Sequence, residues 1–305
     1  MSTLYVVSPP RDIFKRLRPE LRTHIVMLPD FLRYPSQRFK GLLRSLLVGR
    51  VPLPRRLLYW WFPKPYFDRL IHAQAGDAIL IYEACNVRVL RAIRPYMPKD
   101  VPCHIYYCNP VHTTFRNPEE YLMKIRELGY RLTSFDPYEA TQYGMTYTGQ
   151  YFCYPDNRTD EIISDCFFCG LPKDRETILT DLRTFMESEG YKCDFIIPKS
   201  PADKITYPEY LRHLDQTRCV IDICQQGQAG LTRRPLEALF YNKKLITNNQ
   251  EITQYDFYNP QNIFIFGKDS IDRLTQFMST PIQETSRTIK DRYDINQWIR
   301  QYFND

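Results

Sequence analysis

The segment Gln225 to Phe240 reads QQGQAGLTRRPLEALF, and its residue types suit the binding of a diphosphate. Gly227 and Gly230 carry no Cβ, so the backbone there can approach a ligand closely. Thr232 is a good cap for a helix that opens at Arg233. The free amides and positive dipole end of that helix would face whatever the loop residues Gly227, Gln228, Gly230 and Leu231 surround, which makes a pyrophosphate seat. Arg233 and Arg234 add bidentate cationic donors that would stabilise a leaving nucleoside diphosphate without a divalent ion, and no Asp-x-Asp motif occurs. Glu237 lies one turn beyond Arg233, where a carboxylate can accept hydrogen bonds from both vicinal hydroxyls of a ribose. The same spacing also describes an ordinary helix-surface ion pair, and Thr232 an ordinary cap.

Three residues of the N-terminal half could take a proton from a hydroxyl nucleophile. Glu83 ends one apolar run, His112 follows Asn109-Pro-Val, and Asp136 ends another run. In open α/β sheets the carboxyl ends of strands face the ligand crevice, which is where a general base must stand. Each is equally a cap or loop residue by type, and a reaction in which the departing phosphate takes the proton needs none of them.

Between residues 38 and 69, eight basic side chains alternate with leucines and aromatics, and Asp68 is the single acid. Arg55, Arg56, Trp60 and Trp61 form its centre. Aromatic rings settle at a headgroup boundary while Lys and Arg meet anionic phosphate, so this segment, about 36–72, suits a membrane surface or a lipid-linked phosphorylated acceptor. The other reading is an insertion that packs its aromatics on the sheet and solvates its arginines.

These residues need a scaffold. Short apolar runs at 4–8, 23–28, 77–82, 104–108 and 131–135 alternate with amphipathic stretches such as 118–128, the pattern of a parallel sheet with helices on both faces. After the polar stretch 154–160 the alternation restarts. Strands are expected at 165–169, 194–197, 220–224, 245–247 and 263–266, and helices at 174–189, 208–216 and 233–241. Thr206 with Glu209 and Pro208 forms a capping box. The expected architecture is two Rossmann-like, doubly wound domains, 1–155 and 156–305, facing a cleft, and the last helix, 295–303, can pack back on the first.

A chain of 305 residues with 43% hydrophobic side chains supports two such cores, and a net charge of +6 is modest enough to disfavour nucleic acid as a partner. The start lacks a basic region ahead of an apolar run and no stretch is long enough to cross a bilayer, which predicts a cytoplasmic protein. Most of the nine cysteines lie in expected strands and read as reduced, buried thiols. Cys166 and Cys169 have metal-knuckle spacing, but no second pair completes a zinc ribbon.

The runs YLRHLDQTRCVIDI from Tyr210, QAGLTRRPLEAL from Gln228, KKLITNN from Lys243 and YDFYNP from Tyr255 resemble bacterial GT-B-type glycosyltransferases of lipopolysaccharide-core and capsule biosynthesis. The resemblance covers most of the C-terminal half and, more weakly, 81–111 and 135–151. It implies transfer of a sugar from a nucleotide-sugar donor to a lipid-linked or oligosaccharide acceptor, without metal or other cofactor, at the cytoplasmic face of the membrane. Many retaining members carry two glutamates seven residues apart. Here Glu237 matches the second, ribose-binding one, and Ala229 stands at the first. That departure keeps open a non-catalytic GT-B-like binding module, and a nucleotide-sugar epimerase is a further alternative.

Overall fold

Runs such as AILIY at 78–82 have no polar face, and such a strand is stable only in a parallel sheet covered on both sides. The computed structural model, which describes residues 2–32, 38–84, 86–171, 175–224 and 230–303, places them so. The chain divides into two compact units, 1–149 with 298–305, and 150–297.

The first unit holds a six-stranded parallel sheet in the order β2-β1-β3-β4-β5-β6. Its strands are β1 (Leu4–Val7), β2 (Ile25–Leu28), β3 (Ala78–Tyr82), β4 (Cys103–Tyr107), β5 (Arg131–Ser134) and β6 (Thr146–Tyr147). Central β3 is buried at all five residues. Because β2 pairs on one side of β1 and β3 on the other, the strand order reverses between β1 and β3. The exposed two-residue β6 has no apolar alternation and was not legible in the sequence.

The basic, aromatic segment folds into three helices, Arg38–Leu47, Arg55–Leu58 and Lys64–Ile71. The last two helices and the turn between them join the core of the first unit through Leu58, Trp61, Phe62, Phe67 and Leu70. Trp61, expected at a surface, is only 5% exposed, since its ring fills that core; it has no part in a surface contact. Leu42, Leu46, Leu57 and Trp60 remain exposed, as do Arg55 and Arg56.

The second unit holds a five-stranded parallel sheet, β11-β10-β9-β7-β8. The strands are β7 (Ser164–Cys169), β8 (Cys193–Ile196), β9 (Thr217–Asp222), β10 (Lys244–Thr247) and β11 (Ile263–Ile265). Its order reverses between β7 and β9. Cys166 and Cys169 both lie on β7, and all eight described cysteines are free thiols. The capping box at Thr206 and Glu209 opens the helix Tyr207–Asp215. Among the described residues no helix is long and apolar enough to cross a membrane, and no group of His, Cys, Asp and Glu could hold a metal ion.

Candidate functional site

In the second unit β9 ends on Asp222, which is fully buried. A buried carboxylate needs bonded partners, and besides the Cys224 thiol, 3.7 Å from Oδ2, three groups supply them. Thr232 Oγ1 donates to Oδ1 at 2.9 Å, Arg234 Nη1 lies 3.4 Å from the same oxygen, and Thr247 Oγ1 donates to Oδ2 at 3.4 Å. Thr232 also caps the helix Arg233–Tyr241, its hydroxyl accepting from the Arg234 amide. The cap expected from sequence is therefore present, and it ties the helix to the end of β9.

Arg234 is a strut here. Its Nη2 donates to the Cys169 carbonyl at 2.7 Å, and its guanidinium stands 5.0 Å above the Phe168 ring. The group expected to meet a diphosphate thus joins β7 to β9 where the strand order reverses, because the buried Asp222 demands a cation. Arg233, half-buried, is the first residue of this helix, and its charge bears on Glu237. Glu237 is 3% exposed and accepts a short hydrogen bond from the Tyr210 hydroxyl. Burial raises its carboxyl pKa above the usual range, opposed by the Tyr210 bond and by Arg233 and Arg234. Leu231 is buried. Gly230 directly precedes it, while Gly227 and Gln228, with Ala229, lie outside the described residues.

In the first unit the three candidate bases separate clearly. Asp136 is 1% exposed, and its Oδ1 caps the helix Pro137–Gln142 by accepting from the Tyr138 and Glu139 amides, so the structure gives it a capping position away from solvent. Glu83 Oε1 accepts from the Cys108 and Asn109 amides at 2.5 and 2.8 Å, holding the exits of β3 and β4 together. His112 differs: its Nδ1 lies 2.7 Å from Glu139 Oε1, while 36% of its side chain is exposed. Glu139 is buried and also accepts from the Val111 and His112 amides. A carboxylate on Nδ1 fixes the tautomer and leaves Nε2 as the proton acceptor. Sequence alone hid Glu139, which reads as a first-turn acid behind Asp136-Pro137.

Beyond the ends of β1 and β3 lies a cavity of about 290 Å3, lined by Ser8, Asp30, Glu83 and Asn86 among apolar residues. Ser8 and Glu83, at φ 60° and 50°, are two of three described non-glycine residues with positive φ. Such backbone persists where surrounding structure imposes it, often at ligand sites. This is the crevice that an open α/β sheet offers at its reversal point.

No family model and no curated protein matches the chain. Among solved structures it is similar to AviGT4, a glycosyltransferase involved in avilamycin A biosynthesis, with a TM-score of 0.54 and 11% identity, covering 99% of this chain and 96% of that one. The glycotransferase of kitacinnamycin aligns with a TM-score of 0.42 and 12% identity over 99% and 95% of the two chains. At such identity the first likeness is one of fold, and with the two parallel sheets it makes this chain a GT-B-like α/β protein.

Proposed function

We propose that the protein is a metal-independent glycosyltransferase that moves a sugar from a nucleoside diphosphate to a surface-glycan acceptor of lipopolysaccharide or capsule type. The observation that carries this reading is the likeness in fold to a glycosyltransferase across nearly the whole of both chains. Fold alone does not fix activity, and the paired His112 and Glu139 add a group suited to the chemistry.

In this reading His112 Nε2 takes the acceptor hydroxyl proton as the oxygen attacks the anomeric carbon, and Glu139 stabilises the imidazolium that forms. The amides and dipole at the start of the helix Arg233–Tyr241, with Arg233, meet the diphosphate as it leaves. Glu237 accepts the ribose hydroxyls once Tyr210 gives way or shares its oxygens. The exposed Leu42, Leu46, Leu57 and Trp60, with Arg55 and Arg56, lie on the cytoplasmic face of the membrane, where a lipid-linked acceptor is found.

The test is radiolabelled donor turnover with and without acceptor. His112→Ala is expected to lower transfer by about 10²- to 10⁴-fold, with nucleotide binding retained, and Glu139→Gln by less. Transfer at the wild-type rate in His112→Ala would remove His112 as the base. An epimerase would convert the sugar without releasing nucleotide, and a binding module would do neither.

A further inference from the structure

Asn86 lines the pocket at the ends of β1 and β3 and also an adjoining open groove of about 660 Å3. The two differ in charge. Among the described residues that line the pocket the charged ones are Asp30 and Glu83, a setting for hydroxyl donors. The groove, formed by the start of the helix Val87–Ile93 and residues 114–124, carries Arg88, Arg91, Arg116 and Lys124. Glu120 is the single acid among its described lining residues, and it is engaged by Lys124 and by Asn117 Nδ2. The exposed guanidinium groups of Arg91 and Arg116 therefore set the sign of the groove.

Two of its lining residues are a stacked aromatic pair. Phe115 and Tyr121 stack with centroids 3.9 Å apart and planes at 16°, Tyr107 meets Phe115 edge-on, and the Tyr121 hydroxyl donates to the Ala84 carbonyl at 3.4 Å. Exposed arginines and a stacked aromatic pair lining one groove match a phosphate ester, whose oxygens take bidentate bonds from arginine. We propose that this groove binds a phosphate ester of the molecule whose hydroxylated end fills the neighbouring pocket. Naming that molecule as the acceptor rests on the glycosyltransferase reading above; the anion site itself does not.

The probe is inorganic pyrophosphate, titrated calorimetrically into the full chain, into the double variant Arg91→Glu/Arg116→Glu, and into Arg233→Ala. Wild type is expected to show two classes of site. The double variant should weaken one by about tenfold or more and leave the other, which Arg233→Ala weakens in turn. Arg91→Gln/Arg116→Gln repeats the measurement without charge reversal should the first variant fold poorly. Two unchanged sites in a folded double variant overturn the groove and leave the donor reading standing. A groove-site loss in the double variant, with Arg233→Ala unchanged, supports the groove and removes the diphosphate seat. A parallel arm floats each protein on phosphatidylglycerol vesicles. Vesicle binding lost in the double variant, without any pyrophosphate difference, assigns the arginines to lipid headgroups and overturns the link to the pocket.

Discussion

Two histidines show how position decides what a side chain can do. His112, about a third exposed with Nδ1 on Glu139, has the geometry that the proposed proton transfer needs. His104, on β4, is half-buried against Tyr302 at 5.3 Å, and desolvation there, with the charge of Arg131, pushes its pKa down from 6.5 to about 4. The sign follows from linkage. Between pH 6.5 and 4 the unfolded chain binds a proton that folded His104 refuses, so its full contribution to stability is present above pH 6.5 and is lost as pH falls through that window. The limit of the effect is on the order of 3 kcal/mol. His104→Phe is expected to flatten the acid limb of a plot of Tm against pH, and an unchanged slope would show that another group is responsible. At this scale the sequence was legible by residue type but not by partner. Thr232 capped as expected, whereas Arg234 and Glu237 are engaged by Asp222 and Tyr210, which lie 12 and 27 residues away in the chain. No local spacing encodes such pairings.

Strands were the most legible elements, because a buried parallel strand writes itself as an unbroken apolar run. Helix ends followed where a cap was present, as at Thr206 and Thr232. The segment 38–71 was read for its charge and aromatics, and its packing was settled by contacts that charge does not reveal. Gly49 is one of them: at φ +73°, an added Cβ would stand 2.1 Å from the Arg88 carbonyl oxygen. That close approach seats the insertion on the helix Val87–Ile93. Gly41, in the helix Arg38–Leu47, has nothing within 4 Å of such a Cβ. Gly49→Ala is expected to destabilise by more than about 1 kcal/mol, since left-handed backbone strain adds to the clash. Gly41→Ala should stabilise by about 0.5–1 kcal/mol through helix propensity. Urea denaturation of the two variants tests the contrast, and equal effects would deny the insertion its anchor at Gly49.

Across the whole molecule, the two-sheet plan was legible in the alternation of apolar runs and amphipathic stretches. The compact division falls between Gly149 and Gln150, and residues 298–305 belong to the first unit. Trp298 packs 4.9 Å from Tyr106, and the Tyr302 hydroxyl lies 3.1 Å from Thr133 Oγ1. Both rings are nearly buried, at 6% and 2% exposure. Trp298→Ala should therefore cost about 3–5 kcal/mol, read from chemical denaturation of the intact chain. A cost below 1 kcal/mol would mean the segment only rests on the sheet.

That returning segment also orders events at the ribosome. Everything else the first unit needs has been translated before Gln150, yet Tyr82, Tyr106 and Thr133 acquire their covering rings only after the 148 residues of the second unit have been made. A nascent chain halted anywhere within the second unit would carry an unsealed first one, open to chaperones and proteases until Trp298 and Tyr302 emerge.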